Sequence, residues 1–234
     1  MRSTHMKKIS IDEIQKLDFF RDIPGSLIQT ILNQSHAVSY EKGEVIFHAK
    51  DMVNFIYIVV SGKVSIYNIT KHGNRKIIFI LGKGNLVNHN IINAKPVSVF
   101  CEAVCPATLL QIQKNSFLKW MDQDTALMHA VMNSYERYLW RMSHQLKNTT
   151  GNMYLERKIA AKLWKLGRDF GVKTADGVEI DIDLTMNLLA DLLGAPRENV
   201  SRACKNLSSR DLLIYRNRRF LLPLPDELAE FYKA

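Results

Sequence analysis

Residues 184–210, LTMNLLADLLGAPRENVSRACKNLSSR, constrain the fold more than any other stretch, because they read as two short helices held close by a tight turn. Thr185 is a good helix N-cap, and Leu188, Leu189, Leu192 and Leu193 recur at helical spacing. Gly194 can adopt the positive φ that ends the first helix, and Pro196 suits the first turn of a second. In that second helix Val200, Ala203, Cys204 and Leu207 form one apolar stripe, while Arg197, Glu198, Ser201, Arg202 and Lys205 lie largely off it. Small Ala190 lets the helices approach, and Val200 falls where it packs between them. The spacing predicts a helix-turn-helix; an ordinary αα-hairpin with a solvated basic face is the plainer alternative.

The rest of the chain changes period twice. After a helix-like start over 11–32, interrupted at Asp22 and Pro24, helical periodicity disappears from residue 37 to residue 112. Runs at 45–47, 55–60, 63–69, 76–81, 97–104 and 108–112 are short and rich in β-branched and aromatic residues, with turn formers between them. They predict a small all-β barrel or jelly roll. From Lys114 the period returns to helix and runs long: Met128, Met132, Tyr135, Leu139, Met142, Leu146, Thr149 and Met153 alternate steps of three and four. That seam predicts a parallel homodimer, with packing on the chain's own β-domain as the alternative. Gly151-Asn152 is a plausible hinge before a helix over 155–170, and a hairpin is expected over 171–183 around Asp176-Gly177. Residues 213–222 read as strand, turn at Asn217 and strand, a wing with Arg216, Arg218 and Arg219 at its tip.

No apolar run approaches the ~20 residues needed to span a membrane, so a soluble protein is expected. Cys101, Cys105 and Cys204 are too few for a disulfide framework, which points to a reducing cytoplasm. Cys101 and Cys105 fall in a predicted β-segment and read as core thiols, with a redox or metal role as the alternative. The opening MRSTHM reads in part as a cloning scar, with Met6 as the natural start. The net charge of +9 suggests a polyanionic partner, yet residues 1–150 hold most of the excess. Within the second half, residues 190–222 carry seven Lys and Arg against three Asp and Glu, so local charge supports the two-helix segment.

A β-barrel, a long helix and a winged helix-turn-helix, in that order, resemble the Crp/Fnr family (cyclic-AMP receptor protein and fumarate-nitrate regulator). Residues 194–202, Gly-Ala-Pro-Arg-Glu-Asn-Val-Ser-Arg, are similar to the family's G-x-x-R-E-T-V-S/G-R recognition helix. Residues 59–64 resemble its I-V-x-G-x-V turn, and residues 84–87 its G-D-F-I. The resemblance implies an α+β chain in three parts. These are a cyclic-nucleotide-binding-like jelly roll that senses an effector (1–114), a dimerisation helix (115–150) and a winged helix-turn-helix that binds double-stranded DNA (151–234).

It further implies that Arg197, Glu198 and Arg202 reach base edges, with Ser201 adding a base or methyl contact. Independently, a guanidinium can donate to guanine O6 and N7 while a carboxylate accepts from cytosine N4. A TGA-containing half-site repeated in inverted orientation is expected, with Thr185, Arg216, Arg218 and Arg219 on phosphates. RNA polymerase is an expected partner, and an effector bound beside the long helices is expected to change their packing. A constitutive architectural DNA-binding protein with a vestigial sensor is the rival reading. Enzymatic activity is not expected, since no catalytic motif has supporting context.

The sequence departs from the family in the sensor. Cyclic-nucleotide-binding members carry G-E-L and then R-S; here Asn88-His89-Asn90 and Val97-Ser98 stand there, which removes the ribose acceptor and the phosphate cation. No response to cyclic AMP is expected, and the iron-sulfur cysteine cluster is absent. Asn88, His89, Asn90, Ser98, Ser143 and His144 are the effector-pocket candidates. The family's carbon-monoxide sensor ligates haem through a histidine from a comparable region, so His89 is a haem-ligand candidate beside the plainer reading of a structural histidine. Between Asp51 and Glu102 there is no acid, while Lys63, Lys71, Arg75, Lys76, Lys83 and Lys95 make a basic field suited to an anionic effector.

Overall fold

The computed structural model describes residues 9–88, 90–93, 95–149 and 154–233, with the backbone alone at 147–149. The chain divides into two units, residues 1–68 with 78–142 and residues 69–77 with 143–234. Among the described residues no helix is long and apolar enough to cross a membrane.

The first unit opens with α1 (Ile11–Gln15), a 3-10 turn at Asp18–Phe20 and α2 (Gly25–Asn33). Ser10 and Glu13 form a reciprocal capping box at the start of α1. Strands β1 (Ser35–Tyr40), β2 (Val45–Phe47), β3 (Phe55–Ser61), β4 (Val64–Ile69), β5 (Arg75–Leu81), β6 (Phe100–Ala103) and β7 (Ala107–Gln113) follow. They form two antiparallel sheets, ordered β1-β7-β3 and β2-β6-β4-β5. The apolar run in β3 is continuous because both faces are buried. Tyr57 and Val59 enter a core between the sheets with Val64, Ile66, Phe79 and Cys101. Ile56 and Ile58 enter a second core with Phe19, Phe20, Ile28 and Phe117 from the helices. Gly62 turns β3 into β4 at φ +76°, and a Cβ there would lie 2.3 Å from the Pro106 carbonyl oxygen, so the turn needs glycine twice over.

Several expected boundaries shift. β1 begins at Ser35, two residues before the expected β-region, and the run at 97–104 yields only the four-residue β6. Cys105 consequently lies in the bend between β6 and β7, half-buried, rather than in a strand beside buried Cys101. The expected single helix from residue 115 breaks into α3 (Lys114–Gln123) and α4 (Thr125–Thr149). Asp124 makes the break: its backbone is extended, and its carboxylate accepts from the Leu127 N–H at 3.0 Å.

The second unit contains α5 (Leu155–Phe170), β8 (Gly171–Thr174), β9 (Gly177–Ile180), α6 (Met186–Leu193), α7 (Arg197–Ser208), β10 (Ile214–Arg216), β11 (Arg219–Leu222) and α8 (Pro225–Lys233). The two expected hairpins join into one sheet, β10-β11-β9-β8, because Leu221 and Leu222 pair with Glu179 and Val178. α8, which has no counterpart in the sequence reading, packs on α5 with Tyr232 against Trp164 at 5.8 Å between ring centroids. The hinge candidates Gly151 and Asn152 and the seam residue Met153 lie outside the described residues, as does the side chain of Thr149.

Candidate functional site

The helix-turn-helix is built as its sequence dictates. The Thr185 hydroxyl accepts from the Leu188 N–H at 3.1 Å and caps α6, and Gly194 ends that helix in the left-handed region at φ 67°, ψ 40°. Ala190 is buried at the crossing, and Val200, Ala203, Cys204 and Leu207 bury the inner face of α7. Burial pushes the Cys204 thiol up to about 12, and likewise raises Cys101, so both are inert core thiols at neutral pH. With the inner stripe buried, Arg197, Glu198 and Arg202 stand exposed on the outer face and Ser201 is half-buried at its edge. Two cations and one carboxylate, spaced so that Glu198 and Arg202 are one turn apart, can meet base edges in a groove.

The wing turns through Asn217 and Arg218, both at positive φ (51° and 60°), the requirement of a tight two-residue hairpin loop. Its backbone is tied to the entry of α6, since the Leu184 N–H donates to the Arg218 carbonyl at 2.8 Å. The three wing arginines differ. Arg219 donates to Asp181 at 2.9 Å and approaches Glu179 at 3.4 Å; the Asp181 hydrogen bond chiefly raises its pKa. Arg219 therefore holds the wing to β9. Arg216 and Arg218 are exposed and, among the described residues, make long ion pairs, to Asp176 at 3.7 Å and Asp183 at 3.8 Å, which a phosphate can readily replace.

In the first unit a cavity of about 680 Å³ lies between the β-sandwich and α4. Phe47, Ile66, Ile78, Phe79, Val97 and Val99 line it from the strands and their loops, and Tyr135, Tyr138, Leu139 and Met142 from the helix. Asn68, Asn90 and Ser98 supply the amide and hydroxyl groups. The Tyr138 hydroxyl is committed to the Leu86 carbonyl, and Tyr135 hydrogen-bonds the Ile91 backbone.

Two family models match the chain: the cyclic nucleotide-binding domain over residues 37–124 and the Crp-like helix-turn-helix domain over residues 157–231. The chain belongs to the Crp/Fnr family of transcription regulators. One Crp/Fnr relative, the CRP-like cAMP-activated global transcriptional regulator of Mycobacterium tuberculosis, is 21% identical over 94% of this chain and 98% of its own length. Among solved structures, a CooA mutant from Carboxydothermus hydrogenoformans matches with a TM-score of 0.74 at 18% identity, covering 97% of this chain and 98% of its own. FixK2 from Bradyrhizobium japonicum matches with a TM-score of 0.72 at 21% identity, covering 84% and 96%. These likenesses support the expected α+β architecture of a cyclic-nucleotide-binding-like domain, a long helix and a helix-turn-helix domain.

Against that Crp/Fnr plan, the effector-pocket candidates separate. Asn90 and Ser98 line the cavity. Asn88 does not: it is 2% exposed, its Oδ1 accepts from the Tyr57 N–H at 2.7 Å and its Nδ2 donates to the Phe55 carbonyl at 2.9 Å. Both amide ends are consumed in extending the backbone pairing of residues 84–87 along β3. Ser143 and His144 are also absent from the lining, because the helix reaches the cavity through Tyr135, Tyr138, Leu139 and Met142, which lie before them in sequence. His89, the haem-ligand candidate, lies outside the described residues. Of the basic residues between Asp51 and Glu102 that belong to this unit, Lys63, Lys83 and Lys95 are not among the lining residues. Phe79, Tyr138 and Val99, which supply part of the apolar wall, were missed by the sequence reading, since neither strand alternation nor helical period tells core from cavity.

The seam candidates separate too. α4 turns Leu127, Val131, Ser134 and Tyr138 inward onto its own unit. Met128, Met132, Leu139, Met142 and Leu146 are exposed, Leu139 at 70%. Tyr135 sits between the two faces, half-buried and packed against both cores of its own unit.

Proposed function

We propose that the chain is a homodimeric, effector-controlled, sequence-specific DNA-binding regulator. Residues 1–114 sense, 115–150 dimerise and 151–234 read DNA. The observation that carries this reading is the outward face of α7: Arg197, Glu198 and Arg202 are exposed above a completely buried stripe, free to meet a major groove. Ser201 adds a contact at the edge of that face, and Thr185, Arg216 and Arg218 hold phosphates and set register. The exposed apolar face of α4 supports pairing of two chains, and a two-fold dimer reads two-fold DNA about one helical turn apart. The protein works in the cytoplasm, regulates through RNA polymerase and has no enzymatic role.

Replacing Arg202 by alanine is expected to cost about 1–3 kcal/mol on a TGA-containing inverted repeat and much less on random duplex. Fluorescence anisotropy with both duplexes checks this; equal loss on both would contradict base reading.

The effector is not cyclic AMP. The M. tuberculosis relative is by name cAMP-activated, but here Val97, 5% exposed, presents an apolar side chain where the family places its phosphate cation. Asn88 is consumed by β3. A cyclic phosphate buried in this cavity would lack a counter-charge, which is costly in a low-dielectric site. Calorimetry is expected to show no saturable binding at millimolar cyclic AMP, and micromolar binding would contradict the assignment.

A further inference from the structure

We infer that the cavity beside α4 takes an uncharged, largely apolar ligand with an aromatic or similarly flat body and one or two hydrogen-bonding groups. The inference deepens the reading of this cavity as the effector site, and only its regulatory consequence rests on that reading. Among the described residues, no Asp, Glu, Lys, Arg or His side chain lines the space. Arg141 acts on the Tyr138 hydroxyl but is not part of the lining. The walls are instead the aromatic side chains of Phe47, Phe79 and Tyr138 with the aliphatic side chains of Ile66, Val97 and Val99. Aromatic walls favour flat apolar bodies by stacking or edge-to-face contact, and about 680 Å³ lies within the range of small-molecule sites.

Few polar groups remain for a ligand. The hydroxyl of Tyr138 is held by the Leu86 carbonyl, and Asn90 Nδ2 donates to the Lys95 carbonyl at 2.6 Å. Among the described lining residues, Asn90 Oδ1, the Asn68 amide and the Ser98 and Tyr135 hydroxyls are able to orient a ligand, and all are neutral. They match a hydroxyl, carbonyl or amide. A carboxylate or phosphate would exchange water for an apolar wall and meet no counter-charge among the described lining side chains.

The test uses two dyes that share one ring framework: neutral N-phenyl-1-naphthylamine and its sulfonated analogue 8-anilino-1-naphthalenesulfonate, each titrated into the full-length protein. The amine is expected to bind saturably at one per protomer, at least tenfold more tightly than the sulfonate. Val99→Trp, which fills the cavity, is expected to weaken amine binding at least tenfold. Ser98→Trp, at the mouth, gives the same readout with less demand on the core. Val97→Arg, which supplies a cation, should narrow or reverse the preference between the dyes. Equal or tighter sulfonate binding to the unaltered protein would overturn the ligand class. So would amine binding that survives both tryptophan variants. Amine binding as expected with no change in DNA affinity supports the ligand class and overturns only the regulatory reading.

Discussion

Asn88 stands where a peptide unit of a neighbouring strand would stand, and its amide meets both the Tyr57 N–H and the Phe55 carbonyl. Alanine there leaves the buried Tyr57 N–H and the part-buried Phe55 carbonyl without this partner, each worth roughly 1–3 kcal/mol. Asn88→Ala is therefore expected to lower folding stability by about 2–4 kcal/mol, measured by urea unfolding. A change below about 0.5 kcal/mol would contradict the structural role, since that is the range of an inconsequential surface substitution. Nothing in the sequence announces this, because the bond joins positions 31 apart and the family resemblance points to the ligand instead. The opposite case is Gly194, whose left-handed φ follows from local spacing alone. Arg219 lies between: its place on the wing was legible, but its commitment to Asp181 and Glu179 depends on β11 pairing with β9, which no local pattern encodes.

At the scale of elements, α4 carries two apolar faces that a heptad count merges into one. Leu127, Val131 and Tyr138 are buried in the protomer, while Met128 and Met132 are exposed on its surface. A parallel pairing of α4 would bring two copies of Met132 together. Met132→Asp would then bury two like charges, a cost of several kcal/mol at an interface. Light scattering is expected to show a monomer that remains folded by circular dichroism at about 25 °C, since Met132 is 59% exposed within its chain. A persistent dimer would place the interface elsewhere. The length of the helical region was legible from its period, but the break at Asp124 was not, because one capping side chain interrupts an otherwise helical run. α8 has no counterpart in the sequence reading; Pro225 begins it, where a missing N–H costs nothing.

For the molecule as a whole, a reading helix on one unit and a cavity on the other fit a protein with separable input and output. Coupling requires a ligand that binds the DNA-competent state better than the other, typically by ~1–3 kcal/mol. The proposed output was legible in the sequence because the candidate base-reading residues and the buried stripe behind them lie within one short helix. The input was legible only as a loss, Val97 in place of a cation, because a cavity wall is assembled from strands and a helix far apart in the chain. The central claim, that two copies of this chain read inverted DNA half-sites through α7, is tested most directly by selection from random duplexes with the full-length protein. The enriched sites are expected to hold two TGA-containing half-sites in inverted repeat, centred about one helical turn apart. Enrichment of a single asymmetric site, or no enrichment over the starting pool, would contradict it.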